Sequence, residues 1–235
     1  VKSVKWVGVM ADLVPLDQIA EVTTLFQAPY LNTFGATETG FAPASAGHIG
    51  IGDIATSLDK QQSALCQIKL VDAQDQEVPE GETGELAIRS PALFSGYWNN
   101  PKANAEDFRN GWFHMGDMFK RGSDGGLRFV DRRKYLIKSG GENIYPAEIE
   151  RLILADPRVL EAAVVRQKHH HWGEVPIAFI ARKDASLSEA DILAHLCTAL
   201  ARYKLPKAFH FIAEFEFPRS TTGKIMRHVL EQRLG

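Results

Sequence analysis

Cysteine is scarce in this chain: two in 235 residues, Cys66 and Cys197. They lie far apart without metal-ligand spacing, which excludes a dense disulfide framework and a zinc cluster and fits a reducing, cytoplasmic setting. No apolar run approaches the roughly 18 residues needed to cross a bilayer, and no signal peptide opens the chain. An excess of one charge is missing too. A formal net charge of −2 leaves no basic footprint for nucleic acid. Internal repeats and low-complexity tracts are absent. What remains, 45% hydrophobic and 24% charged residues, supports one large core or two smaller ones. The chain opens on Val1 and runs within six residues into the strand-like KWVGVM, so a C-terminal piece of a longer protein is expected.

The densest stretch is DRRKYLIKSGGENIYPAEIE, residues 131–150. Gly140-Gly141 permits positive φ and close approach of a ligand to the main chain. Pro146 with Ala147-Glu148-Ile149-Glu150 reads as a helix N-terminus carrying acid in its first turn. Tyr135-Leu136-Ile137 reads as a short strand. Cations beside a glycine turn suit a phosphate-bearing ligand, and a hairpin followed by a surface helix is the plainer reading.

Upstream, apolar residues at 16, 19, 22, 25 and 26 repeat with a helical period. APYLNTFGATETG, residues 28–40, leads into a hydroxyl-rich turn with one carboxylate, Glu38. It reads either as a strand end with local threonine bonds or as a nucleotide ledge where a carboxylate holds Mg²⁺. Residues 47–100 are β-rich, with CQIKLVD and GELAIRS separated by turn-makers, which points to a small barrel or a distorted sheet. Gly116-Asp117 ends RNGWFHMGD as a turn or cap, and Ser123-Asp124-Gly125-Gly126 turns between two strands.

The last hundred residues predict a small α+β domain. Its elements are a helix from Pro146 to Ala155, the strands VLEAAVVRQ and EVPIAFIARK, a helix from Ser188 to Tyr203, the strand KAFHFIAEF and a terminal helix. Ile192, Leu196, Ala199 and Leu200 form one face of the long helix, and Ser188 with Asp191 forms a capping box. His169-His170-His171 cannot all face one ion in regular structure and reads as a solvated loop. FPRSTTGKIMR presents Lys224 on a mobile, glycine-flanked loop before a helix.

Four of these stretches, TFGATETG, GWFHMGD, DRRKYLIKSGGENIYPAEIE and PRSTTGK, resemble in sequence and order the motifs of the adenylate-forming (AMP-binding) acyl-CoA synthetase superfamily, C-terminal portion. The resemblance implies an α/β and α+β fold. Residues 1–133 would be the end of the large domain, a sheet remnant plus a small β-barrel-like subdomain, and 134–235 a mobile C-terminal domain. It also implies roles by residue. Asn32, Phe34, Gly35, Ala36 and Thr37 would line the nucleotide, Phe34 and Gly35 flanking adenine and Thr37 touching phosphate. Glu38 would bind Mg²⁺, Asp117 would accept both ribose hydroxyls, and Arg132 would contact ribose and phosphate. Lys134 would be the hinge. Lys138, Ser139, Gly140, Gly141 and Glu142 would face coenzyme A, with Trp172-Gly173-Glu174 along its path. Lys224, with Glu38 and Thr37, would serve catalysis.

The implied reaction joins a carboxylic acid to coenzyme A through acyl-AMP, using ATP and Mg²⁺. Loading of a carrier protein and a non-catalytic nucleotide-binding fragment are the alternatives. Small-molecule partners are implied, with no nucleic acid and no integral membrane segment, and a homo-oligomer is left open. Three positions depart from the pattern: Phe34 replaces the commoner Tyr, Met115 replaces a hydroxyl residue, and VGVMADLVP replaces a Gly-Gly-Ala-Pro wording. The Ser/Thr/Gly-rich phosphate loop is absent from the 235 residues, so the piece alone is expected to be inactive. Gly96-Tyr97 is given a mainly structural role.

Overall fold

The computed structural model describes residues 3–8 and 14–235. The chain divides into two compact units, residues 1–133 and 134–235.

In the first unit, helix α1 (Leu16–Phe26) buries Ile19 and Thr23 and leaves Leu25 in solvent, so its inner face is narrower than the apolar spacing implies. Strands β1 (Tyr30–Phe34), β2 (Ala44–Ile49) and β3 (Gln61–Gln62) form an antiparallel sheet in that order. Of the expected strand KWVGVM, Val7 makes one parallel bridge to Tyr30, while Val9 and Met10 lie outside the described residues.

A second antiparallel sheet contains β4 (Gln67–Val71), β5 (Thr83–Arg89), β6 (Phe108–Arg109), β7 (Trp112–Arg121) and β8 (Leu127–Arg132). Its order is β4-β5-β7-β6, with β8 also on β7. Helix α2 (Pro101–Asp107) precedes β6. Lys60, just before β3, exchanges both backbone hydrogen bonds with Leu127 of β8, at 3.0 and 2.7 Å. The two sheets thereby become one curled surface around Ala44, Ile68, Leu70, Leu86, Ile88, Phe119 and Leu127. Gly116-Asp117, read as a turn, lies inside β7.

The second unit is built on a long hairpin. Strands β9 (Ile137–Ser139), β10 (Glu142–Ile144), β11 (Val159–His169), β12 (Gly173–Arg182) and β13 (Phe209–Phe211) form one sheet, with β12 paired to β11, β9 and, in parallel, β13. Because side chains alternate across a strand, β11 and β12 carry two apolar faces. Ala162, Val164, Ala178 and Ile180 pack with helices α3 (Pro146–Leu154) and α4 (Glu189–Cys197). Ala163, Val165, Ile177 and Phe179 pack with Phe217 and with Leu230 of α5 (Arg227–Gln232). Burial on both sides explains why these strands read as unbroken apolar runs.

The described residues contain no helix long and apolar enough to cross a membrane, and both cysteines are free.

Several boundaries differ from expectation. Arg133–Tyr135 is a 3₁₀ turn, so the strand begins only at Ile137. Helix α3 is not a surface helix, since Ala147, Ile149, Glu150 and Ile153 are buried. Helix α4 stops at Cys197, where the Thr198 hydroxyl donates to the His195 carbonyl at 2.7 Å and competes with the helical ladder. Ala199 is accordingly exposed, whereas Ile192, Leu196 and Leu200 are buried. Strand β13 ends at Phe211, and Glu216 folds back onto the Ala213 N–H at 2.7 Å to close a 3₁₀ turn.

One charged pair crosses this core. Glu150 of α3 is buried, accepts the Val164 N–H at 2.6 Å and is ion-paired with Arg227 of α5, whose guanidinium also donates to the Val164 carbonyl at 2.8 Å. Removing one partner strands the other charge, which costs about 3–5 kcal/mol. Arg227→Met is expected to lower the stability of this unit by about that amount, read as faster native-state hydrogen exchange of the β11 amides. Unchanged exchange would show the pair to be dispensable.

Candidate functional site

Strand β1 delivers the first group of predicted site residues. Asn32 is buried, and its carbonyl accepts the Ser45 hydroxyl at 3.4 Å. Phe34 is half-buried, its ring edge-on to Phe119 of β7 with centroids 4.7 Å apart. The first motif is thereby packed onto the strand that carries the second.

Past Phe34 the chain turns through Gly35 and Ala36 into a 3₁₀ turn, Thr37–Thr39. The buried Thr39 hydroxyl accepts the Ala36 N–H at 3.1 Å and donates to the Ala36 carbonyl at 2.8 Å, which locks the turn. A Cβ at Gly35 would stand 3.3 Å from that hydroxyl, so a small residue is favoured there. Thr37 projects into solvent and Glu38 is half-buried.

Among the described residues, the Glu38 carboxylate has one hydrogen-bond partner, the Tyr97 phenol, which donates to Oε1 at 3.2 Å. Burial, then the neighbouring Glu38 and Asp107 carboxylates, push the Tyr97 hydroxyl up to about 12, so it stays protonated as a donor. Burial also raises the Asp107 carboxyl. Tyr97, given a mainly structural role from the sequence, thereby touches a predicted site residue.

Asp117 and Arg132 come from different motifs but occupy directly opposed positions on β7 and β8. Arg132 Nε lies 2.9 Å from Asp117 Oδ1, with the carboxylate buried and the guanidinium half in solvent. Asp131 fixes the approach by accepting the Arg132 N–H at 2.6 Å. Gly116, at φ +72°, allows the bend just before Asp117.

Behind this pair lies a polar cluster that sequence reasoning missed. Arg109 Nη2 stands 3.1 Å from Asp75, 3.2 Å from Glu85 and 2.8 Å from His114 Nδ1, and Arg133 Nη1 stands 3.3 Å from Glu85. The Arg109 hydrogen bonds hold the Asp75 carboxyl low. At Glu85 burial works the other way, but His114 and the two arginines together prevail and lower it. No single sequence window contains these residues. The one hint is that Arg109 and His114 sit within a segment otherwise read for its aspartate.

In the second unit, Lys134 is exposed, its ammonium 4.9 Å from the Tyr135 ring centroid. Gly140 (φ +59°) and Gly141 (φ +89°) are the two-residue loop of the β9–β10 hairpin, a primed turn that requires positive φ at both positions. Gly140 donates its N–H to the Trp172 carbonyl at 2.8 Å, and a Cβ there would stand 2.8 Å from the indole. Ser139 is buried, Glu142 is exposed, and Lys138, exposed, donates its N–H to Glu174 at 2.9 Å. Residues 170–172 form the turn between β11 and β12, and no metal-competent group of three acidic, His or Cys side chains occurs among the described residues.

Lys224 is exposed on a closed hairpin turn rather than an open loop. Ser220 donates its N–H to the Lys224 carbonyl at 2.9 Å, Gly223 donates to Ser220 at 2.9 Å, and Arg219 binds both the Gly223 carbonyl, at 3.1 Å, and Glu161. The structure thus joins Phe34 to β7, Glu38 to Tyr97 and Asp117 to Arg132 within one unit. It places Lys134, the Gly140-Gly141 turn and Lys224 in the other.

Comparison with known proteins gives two family matches in sequence order: "AMP-binding enzyme" over residues 1–98 and "AMP-binding enzyme C-terminal domain" over residues 148–224. A 2-succinylbenzoate–CoA ligase of Bacillus cereus is 38% identical over 206 residues, 87% of this chain and 41% of the relative. A feruloyl-CoA synthase of Amycolatopsis is 40% identical over 174 residues, 74% of this chain and 35% of the relative. The o-succinylbenzoate CoA synthetase of Bacillus subtilis, solved with its acyl-adenylate, superposes with a TM-score of 0.81 at 30% identity, over 96% of this chain and 45% of that one. The same enzyme with ATP and magnesium ion gives 0.77 at 29% identity, over 95% and 45%. The chain therefore spans about two fifths of the length of these relatives. With both family matches in order and its curled sheet and hairpin domain shared with these solved ligases, the chain belongs to the adenylate-forming acyl-CoA ligase superfamily.

Proposed function

We propose that the chain serves an acid–coenzyme A ligase that works through acyl-AMP. In the first step a substrate carboxylate oxygen attacks the α-phosphorus of ATP, and the bond to the β-phosphate breaks to release pyrophosphate. In the second, the coenzyme A sulfur attacks the acyl carbonyl, the acyl–oxygen bond breaks, AMP leaves with that electron pair, and the thiol proton passes to solvent. The observation that carries the reading is the cross-strand pairing of Asp117 with Arg132, which unites an acceptor suited to a ribose diol and a cation suited to the adjoining phosphate.

The residues fit the groups they would serve. Glu38 keeps Oε2 open beyond its Tyr97 bond, and one carboxylate suits Mg²⁺, which retains waters and takes its other ligands from substrate phosphates. Bound there, the ion would neutralise charge on the phosphates being separated. Thr37 presents a hydroxyl to solvent beside it, and Asn32, Phe34, Gly35 and Ala36 would form the nucleotide ledge. Phe34 retains a ring but no phenol. In the second unit the exposed Lys224 ammonium would meet the charge that develops at the α-phosphate during adenylation. The Gly140-Gly141 turn, with Lys138, Ser139 and Glu142, would flank coenzyme A during the second step, since two positive-φ glycines give a thiol-bearing arm close access to the backbone. Lys134 opens the second unit and would be the pivot that alternates the two faces.

These roles yield four expectations. Asp117→Ala should weaken AMP binding to this chain by about tenfold or more, as befits loss of a charge-assisted hydrogen bond, measured by calorimetric titration. Equal affinity would remove the ribose assignment. In a full-length ligase carrying this chain, a panel of carboxylic acids should reveal AMP release that requires coenzyme A. There Lys224→Ala should slow adenylation by about 10²–10³-fold while sparing thioester formation from preformed acyl-AMP. Equal loss in both half-reactions would contradict the alternation. The 235-residue chain by itself should show no ATP–pyrophosphate exchange, and measurable exchange would refute its dependence on further phosphate contacts.

A further inference from the structure

The segment GYWNNPKAN, residues 96–104, has no assigned role in the chemistry, yet its geometry converges on Glu38. Asn100 caps α2 by accepting the Ala103 N–H at 3.2 Å, and Pro101 occupies the first turn, so the short helix holds Asn104 in place. Asn104 clamps the main chain of Tyr97 from both sides: its Oδ1 accepts the Tyr97 N–H at 2.7 Å and its Nδ2 donates to the Tyr97 carbonyl at 3.0 Å. That approach needs a glycine beside it. Gly96 sits at φ +130°, and a Cβ there would stand 3.0 Å from Asn104 Oδ1.

The Tyr97 ring is then packed edge-on against Phe94, with centroids 4.8 Å apart. The Phe94 N–H donates to the Glu38 carbonyl at 3.0 Å. Residues 94–104 therefore fix the backbone of Glu38 through Phe94 and its carboxylate through Tyr97. Glu38 Oε1 is engaged by the phenol, and Oε2 is left as the oxygen for a cation.

We propose that Tyr97 is a positioning residue for a divalent-cation site at Glu38, its hydroxyl holding one carboxylate oxygen so that the other is presented to the metal. The inference rests on the assignment of Glu38 as the metal-binding carboxylate. Outer partners that orient ligands in this way typically change metal affinity by 10–100-fold when removed.

The test uses Mn²⁺, a paramagnetic stand-in for Mg²⁺, titrated into the isotopically labelled 235-residue chain. The readout is the Mn²⁺ concentration that half-broadens the Thr37–Gly40 amide resonances. Tyr97→Phe keeps the ring and removes the donor. It should raise that midpoint about tenfold while leaving the Phe94 and Asn104 amide shifts in place. p-Aminophenylalanine at position 97, which restores a donor, should bring the midpoint back, whereas a purely structural role would not distinguish it from Phe. Glu38→Gln should abolish site-specific broadening. If Glu38→Gln abolishes it but Tyr97→Phe leaves the midpoint unchanged, the positioning role is overturned and the metal assignment stands. If Glu38→Gln changes nothing, both are overturned.

Discussion

The first unit depends on the register of β7. This strand pairs with β5 along one edge and with β6 and then β8 along the other, so a slip of one residue would turn every side chain to the opposite face. The register is held by buried Phe113 and Phe119, whose rings meet Phe108 and Phe34. It sets Asp117 directly across from Arg132. The same alignment presents His114 to Arg109, and Arg109 gathers Asp75 and Glu85. A charged cluster of this kind adds little net stability against an apolar alternative, because desolvation offsets much of its attraction. Its effect is directional. Arg133 is held to Glu85 immediately after Arg132 has met Asp117, so the backbone reaches Lys134 with two consecutive side chains already committed.

What could be read in the sequence divides by the range of the interactions concerned. The Gly140-Gly141 hairpin and the Ser188–Asp191 capping box are legible because each depends on neighbours a few residues away. Gly116-Asp117 reads as a turn in sequence because glycine suits the positive φ found at Gly116. Pairing of Asp117 with Arg132 of β8 keeps it within a strand. Helical period alone extends α4 past Cys197, because periodicity does not register the Thr198 back-bond. Helix α2 carries a local signal in Asn100-Pro101, an N-cap followed by proline at the first turn. The Tyr97–Glu38 bond spans 59 residues of sequence. No pattern of local spacing encodes a contact at that separation.

The two units solve different positioning problems. In the first, the groups proposed to face the nucleotide are fixed by strands and by short turns locked with side-chain hydrogen bonds, such as Thr39 on Ala36. In the second, the candidate groups stand on hairpin ends. The Gly140-Gly141 turn is tied back through Trp172, and the Lys224 turn through Arg219 to Glu161 on β11. Both turns are thus anchored to the long β11–β12 hairpin or to the segment that closes it.

That anchoring bears on how a single lysine could serve one half-reaction and leave the other. A lysine on a free loop would approach and withdraw by loop motion, at a cost in ordering entropy on every cycle. Here Ser220, Gly223 and Arg219 have already ordered the turn, and Lys224 stands exposed on it. Arg227, three residues on, is locked to Glu150 and lies over the Tyr135 ring, 4.7 Å from its centroid, next to Lys134. The lysine turn and the proposed pivot therefore share one rigid framework. In the proposed alternation, displacing Lys224 without breaking that framework would call for the unit to move as a body, with the change of φ and ψ taken up around the proposed pivot Lys134.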